Sequence, residues 1–279
     1  MAAATAAMPW LAGCASERGR FASLPVGTFD AELAPGLAAA GYGHLELSVT
    51  HDLMPERSES DFETRLARIR ALPVPCRMMN GFIDPKLRLV GPETDLNRAL
   101  AWSIVAFARA ERAGVRIITV GAGKPRKVPA GFEPERARAQ LSHFLSRILP
   151  MAGDSGVTLA IENLNSGETN LGNSIEECLG IVEAAGPRMR LTADLYHMLR
   201  DGDPAESLRR AMPRLVHCHV AERARRTPPG TAGDDFRPFL KVLREGGYRG
   251  AFSFECGWGE GRATPAAALA AFREQLRTC

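Results

Sequence analysis

The chain has 279 residues, of which 45% are hydrophobic and 24% charged, and a formal net charge of +3. This is ordinary globular material with enough apolar content for a large core that needs no staples. The charge is too mild for the concentrated basic face of a nucleic-acid binder, and no stretch approaches the roughly 20 apolar residues of a membrane span, so small anionic or neutral substrates remain open.

Taken in chain order, strand-like runs alternate with helical runs, the βαβα pattern of a parallel sheet. The strands are expected near 9–15, 43–49, 75–81, 116–121, 157–163, 188–195, 214–221 and 250–256. Eight strands close a barrel, and the length fits one (β/α)8 TIM barrel of about 250 residues over 1–279, with no second domain. The residues at 11–14, Leu-Ala-Gly-Cys, match a lipoprotein cleavage site, but no Lys or Arg precedes them and the apolar run is short, so no signal peptide is expected. Between the strands, Leu100, Ile104, Phe107 and Ala108 form an expected apolar stripe before Gly114, as do Leu141, Phe144, Leu145 and Ile148 before Gly156. Pro204, Pro238 and Pro265 stand near the starts of later helices. The six cysteines, at 14, 76, 178, 218, 256 and 279, show no CxxC pairing and read as reduced thiols of a cytoplasmic enzyme.

Four successive strands end in residues that can ligate a metal: Glu162 in LAIEN, Asp194 in RLTADLYH, His219 in LVHCHV and Glu255 in AFSFE. Side chains two apart share a strand face, so small or polar Ala160, Thr192 and Ser253 lie on the ligand-bearing face while Leu159, Ile161, Leu191, Phe252 and Phe254 lie on the other. Any one of these acids reads as well as a solvated strand end, but four in a row describe a mononuclear divalent-metal site. Three oxygens and one imidazole suit Mn²⁺, Mg²⁺ or Co²⁺, with Zn²⁺ also open, and Mn²⁺ is the expected ion.

Around this set the loops after the strands carry the remaining candidates, because barrel active sites form at that end. Asn80, closing the third strand, is placed to hydrogen-bond a polar substrate. Glu46 on the second strand either supports the site or touches its ligand, and His217, two residues deeper than His219, fits a core or supporting role. Glu222 has two readings, an ion pair with local arginines or an orienting contact to His219, and Trp258 either offers an apolar wall to the substrate or caps the barrel. The glycine-rich basic loop at 121–127 lacks P-loop spacing and reads as a solvated mobile lid. The arginines after Glu222 begin close enough to His219 for one to reach substrate oxygens.

The ordered set Glu162-Asn163, Asp194-Leu-Tyr-His197, His217-Cys-His219-Val-Ala-Glu222 and Phe254-Glu255 resembles the xylose isomerase-like TIM barrel superfamily of sugar phosphate isomerases and epimerases. The pattern is most similar to the ketose 3-epimerases of the D-tagatose and D-psicose group. The resemblance spans nearly the whole chain, including the segment at 80–92, and leaves a long unaligned connection at 17–30. It implies that Glu162, Asp194, His219 and Glu255 bind the metal, that Glu168, His197 and Arg225 contact substrate, and that the chain assembles as a homodimer or homotetramer.

The chemistry implied is proton exchange beside a ketose carbonyl through a metal-stabilised enediolate, with Glu162 and Glu255 as the acid/base pair. Protonation at the adjacent carbon gives aldose–ketose isomerisation, and a leaving group beside the reacting carbon gives a dehydratase or lyase on a keto-sugar, keto-inositol or 3-oxo-glycoside. An endonuclease IV-like DNA-repair phosphodiesterase needs further histidines at strand ends. The third and fourth strands end in Asn80-Gly-Phe and Val120-Gly-Ala, and His44, His51 and His143 do not fill the gap. A non-catalytic scaffold is disfavoured because every ligand type is kept.

Overall fold

The computed structural model describes residues 17–279. Eight parallel strands close into a barrel in sequence order: β1 Val26–Thr28, β2 His44–Ser48, β3 Cys76–Asn80, β4 Ile117–Val120, β5 Thr158–Glu162, β6 Arg190–Asp194, β7 Leu215–Val220 and β8 Ala251–Phe254. Seven expected strands are found with ends within two residues of those anticipated. The eighth is a correction: the run at 9–15 lies outside the described residues, and its place between β2 and β8 is taken by β1, where Gly27 pairs with both His44 and Ser253. Three residues between Pro25 and Phe29 are too few to display an alternation, so this strand leaves no periodic signal. Gly27 is required there, since a Cβ would lie 2.3 Å from the His44 ring and 2.6 Å from its carbonyl oxygen.

Helices cover the barrel's outer face, among them Leu96–Ala113, Pro134–Asp154, Ile175–Ala185 and Pro265–Thr278. The helix Pro134–Asp154 buries the expected Leu141, Phe144, Leu145 and Ile148. In Leu96–Ala113 the expected stripe is rotated: Ala99, Trp102, Ala106, Phe107 and Ala110 are buried, while Ile104 is 54% exposed and Ala108 faces solvent. The turn that packs is set by Trp102, whose Nε1 donates to the Phe82 carbonyl at 2.6 Å, and by buried Arg109, which donates to the carbonyls of Leu53, Met54 and Arg57. Those anchors lie in distant segments, so the local apolar pattern does not reveal them. Pro238 and Pro265 occupy first turns as expected, and Pro204 precedes Ser207–Ala211 by three residues.

The barrel interior is polar where most barrels are aliphatic. Thr119 and Thr192 lie 3.1 Å apart through their hydroxyls, and the Ser253 hydroxyl is 2.9 Å from His44 Nε2. The apolar counterpart lies outside, between β8 and the C-terminal helix, where Phe252 and Phe254 meet Phe272 edge-on at 5.2 and 5.4 Å and Tyr42 meets Phe254 at 5.9 Å. Arg273 ties the same helix to the chain entering β1 through the carbonyls of Ala22 and Leu24 at 2.6 and 2.7 Å.

The loop after β4 also departs from expectation. It is no solvated lid, because Arg126 is almost fully buried and its guanidinium donates to the carbonyl oxygens of Glu162 at 2.8 Å and Val120 at 3.4 Å. A cation turned inward to satisfy two strand-end carbonyls anchors the short helix Gly123–Arg126 over β4 and β5, with Lys124 and Lys127 left exposed. Phe272→Ala should empty the aromatic seam and cost about 3–5 kcal/mol of stability, measured as a shift of the urea unfolding midpoint against the wild type.

Candidate metal centre and substrate cleft

Four adjacent strands, β5 to β8, deliver Glu162, Asp194, His219 and Glu255 to one end of the barrel, where one donor atom from each lies within 4.8 Å of the others. Glu162 and Asp194 are held by different devices. Gly121 leaves room for Glu162, because a Cβ there would sit 1.8 Å from Oε2. Asp194 caps the helix Leu195–Asp201, its Oδ1 accepting from the backbone of Tyr196 at 2.7 Å and His197 at 3.2 Å, so Oδ2 remains for the site. Asn163 pins the end of β6 in both directions, accepting from Asp194 N at 2.8 Å and donating to its carbonyl at 3.2 Å.

His219 is the centre of the arrangement. Its Nδ1 lies 2.5 Å from Glu162 Oε1 and 3.1 Å from Glu255 Oε2, and its Nε2 lies 3.1 Å from Glu46 Oε1. The other Glu46 oxygen is 2.9 Å from His217 Nε2, and all three side chains are fully buried. Burial opposes the charge on Glu46, but His219 and His217 hold its carboxyl well below the usual range. Burial likewise disfavours the charged His219, yet Glu46 and Glu162 raise it well above the ordinary value, while burial lowers His217. Removal from water and then the Glu162 carboxylate push the Glu255 carboxyl up to about 7, with Arg226 and His219 pulling the other way. Burial also works against ionised Asp194, but His197 and Arg226 keep its carboxyl low.

These contacts test whether a cation fits. With Nε2–H donated to Glu46, the Nδ1 lone pair of His219 faces two carboxylates, a contact that is attractive only with a proton or a metal ion in it. Glu255 Oε2 accepts no well-directed hydrogen bond although His219 Nδ1 and Arg226 Nη2 lie 3.1 and 2.7 Å away. Three carboxylates and one imidazole nitrogen converge here, with Glu255 Oε2 left without a hydrogen bond, and form a donor set that suits a divalent ion.

The cleft above has a cavity of about 170 Å³ lined by Asn80, Gly121, Glu162, Glu168, His197, Arg226 and Glu255, among others. His197 is fully buried, and its Nδ1 lies 2.7 Å from Asn165 Nδ2, which leaves Nε2–H pointing toward Asp194 Oδ2 at 3.4 Å with no hydrogen bond of its own. Asn165 is a site residue that sequence reasoning missed. Its amide is oriented by Gly167 N at 3.0 Å and also reaches Glu168 Oε1 at 3.0 Å; the alternation Asn163, Asn165 beyond Glu162 is the signal that marks it. Phe29, edge-on to His219 at 5.1 Å, was also missed, because it follows the strand that has no pattern.

One expected residue is displaced by its neighbour. Arg225 is exposed, and Arg226 enters the cleft instead, with Nη2 2.7 Å from Glu255 Oε2 and 3.4 Å from Asp194 Oδ2, Nη1 3.6 Å from Glu168 and the guanidinium 4.7 Å over Tyr196. Both arginines have left-handed backbones, φ 56 and 51°, in a tight turn closed by the Glu222–Thr227 bridge, and a spacing counted from His219 cannot tell which of two adjacent side chains that turn sends inward. Glu222 takes neither role anticipated for it. Its buried carboxylate accepts from the Thr227 hydroxyl at 3.0 Å and from the backbone of Gly230, Ala232 and Gly233, which makes it the organiser of the loop. Trp258 caps β1, donating to the Thr28 hydroxyl at 3.3 Å.

Comparison with known proteins agrees with this architecture. Residues 36–278 match the family model of the xylose isomerase-like TIM barrel. The chain is 28% identical over 232 residues to the L-ribulose 3-epimerase of Methylomonas sp. (strain DH-1), covering 79% of this chain and 76% of that one. It is 26% identical over 271 residues to the L-ribulose-5-phosphate 3-epimerase UlaE of Escherichia coli O157:H7 (strain EC4115 / EHEC), covering 91% of each. The fold is shared with the 3-keto-D-glucoside 4-epimerase YcjR from E. coli, at a TM-score of 0.72 and 21% identity over 92% of this chain and 100% of that chain. It is shared also with the IOLI protein with a binding zinc atom, at 0.71 and 16% over 90% and 96%. A family match over nearly the whole described chain, on a closed parallel barrel, means that the protein belongs to the xylose isomerase-like TIM barrel family.

Proposed function

We propose that this chain is a divalent-metal-dependent sugar epimerase that inverts a carbon beside the carbonyl of a ketose. The observation that carries the reading is the convergence of Glu162 and Glu255 on the same nitrogen of His219, at 2.5 and 3.1 Å, beneath a cavity that both line. Relatives that are ribulose 3-epimerases, free or 5-phosphorylated, support the same reaction class.

Glu162, Asp194, His219 and Glu255 would hold the ion, with Mn²⁺ the proposed species; when bound it supplies Lewis-acid polarisation of the substrate carbonyl. The remaining work falls to side chains. One of the two glutamates takes the proton from the carbon next to the carbonyl and the other delivers a proton to the opposite face, so the carbon inverts with no net change in atoms. His197 offers an unspent Nε2–H and Arg226 a guanidinium fork to substrate oxygens, with Glu168 and Asn80 completing the wall. The cysteines at 76, 178, 218, 256 and 279 are free thiols, in keeping with a cytoplasmic enzyme whose partner is a small sugar rather than nucleic acid or membrane. No observation favours the lyase or endonuclease alternatives.

The test is proton exchange followed by NMR in D₂O, with metal-loaded protein, a panel of free and phosphorylated ketoses and a chelated control. Metal-dependent deuterium at carbon 3 with formation of the epimer is expected; an aldose product, loss of water or no exchange would each overturn the epimerase reading. Glu255→Gln should lower turnover by at least 10²-fold, the scale of a lost acid/base group, and undiminished turnover would remove the acid/base assignment. Arg226→Ala should raise KM more than it lowers kcat, whereas Arg225→Ala should leave both near wild type in steady-state assays.

A further inference from the structure

We infer that Glu46 is a positioning residue of the metal centre: by clamping His217 and His219 together it fixes which nitrogen His219 presents to the ion. The inference rests on the metal reading above and extends it to a residue outside the ligand set.

The geometry leaves one arrangement of protons. An ionised carboxylate only accepts, and the two Glu46 oxygens are each engaged by an Nε2, of His217 at 2.9 Å and of His219 at 3.1 Å. Both imidazoles therefore carry a proton on Nε2, and Nδ1 of His219, directed at Glu162 and Glu255, is the nitrogen free to exchange its proton for an ion. His217 has no other specific task, since its Nδ1 has no hydrogen-bond partner in the buried interior and its hydrogen bond goes to Glu46. A polar ring buried for one contact is explained if that contact holds Glu46 in place. The layer beneath supports the pair: His44, seated by Gly27 and bonded to Ser253, packs edge-on to the His217 ring at 6.1 Å, and the His217 and His219 rings meet at 4.9 Å. A carboxylate that engages the far nitrogen of a metal-bound histidine sets its tautomer, its orientation and its basicity.

Glu46, His217 and His219 also lie close enough to hold an ion of their own. That occupancy would break both hydrogen bonds of Glu46 and would turn His219 to ligation through Nε2, so it is the competing outcome of the test.

Glu46→Gln keeps shape but offers one acceptor and one donor, so one imidazole must change tautomer. Calorimetric titration of the chelator-stripped full chain with Mn²⁺ should give one ion per wild-type chain and a 10–100-fold weaker Kd for Glu46→Gln, with a retained unfolding transition in the metal-free variant. A merely structural role would lower that transition and leave the Kd of the folded protein unchanged. Because a buried variant can fail to fold, wild-type protein labelled with ¹⁵N-histidine is titrated with diamagnetic Zn²⁺ as well. The expected result is a shift of His219 Nδ1 while Nε2 stays protonated. Wild-type affinity in folded Glu46→Gln, ligation through Nε2, or two ions per chain would overturn the proposal. A wild-type chain that takes up no ion would overturn the metal centre itself.

Discussion

The structure is organised around the cost of bringing four carboxylates, Glu46, Glu162, Asp194 and Glu255, to one end of a closed barrel. Two unit charges about 4–5 Å apart repel by roughly 3–4 kcal/mol even at the effective dielectric of a solvated protein site, and facing oxygens of Glu162, Asp194 and Glu255 lie within 4.8 Å. Two cationic groups answer them directly, the imidazole of His219 and the guanidinium of Arg226. In the proposed reaction the first would hold the ion and the second would meet substrate oxygens. The charge balance of the site is therefore a matter of occupancy. In the proposed reaction a dication held there would relieve the carboxylates, take the place of the His219 Nδ1 proton and leave Arg226 available to substrate oxygens.

That demand reaches down into the barrel. A layer of polar side chains, Thr119, Thr192, Ser253, His44 and His217, fills the interior beneath the site, and each needs a partner of matching chemistry because an unsatisfied buried polar group costs on the order of 1–3 kcal/mol. The pairs Thr119–Thr192 and His44–Ser253 meet that need internally. Glycine supplies the space at two points where a side chain would collide, Gly27 against His44 and Gly121 against Glu162. The apolar stabilisation that a polar interior forgoes is found outside the sheet, where Phe252 and Phe254 pack edge-on against Phe272 of the last helix.

What could be read in the sequence divides along the same line. Strand-like runs between helical runs made β2 to β8 legible, and the alternation of one polar and one apolar face marked the strand-end residues that the structure brings together. The strand β1 was not, because Val26–Thr28 is shorter than a period can register, and its identity is fixed by pairing with β2 and β8. Glu46 was visible as inward-facing but not as the clamp of two histidines, since His217 and His219 are 171 and 173 residues away. Arg126 looked like part of a basic solvated loop; only the carbonyls of Val120 and Glu162 explain why the charge turns inward. Local sequence records which face a residue shares, and it is silent on which distant acceptor a long cation will find.

The loop after β7 shows how such non-local contacts govern the reacting groups. Holding Arg225 and Arg226 at positive φ costs roughly 1–2 kcal/mol each in backbone strain, and the sequence there has no glycine to relieve it. Glu222 offsets the cost: buried two residues beyond β7, it gathers the Thr227 hydroxyl and the backbone N–H groups of Gly230, Ala232 and Gly233 onto one carboxylate, while its own N–H donates to Thr227 O at 2.8 Å. Charge-assisted hydrogen bonds of this kind are about twice as strong as neutral ones. The turn is thereby locked in the conformation that sends Arg226, and not Arg225, across Tyr196 to the carboxylates. The strain thus stands where it aims a charge at the site, and the carboxylate that sustains it does not line the cavity.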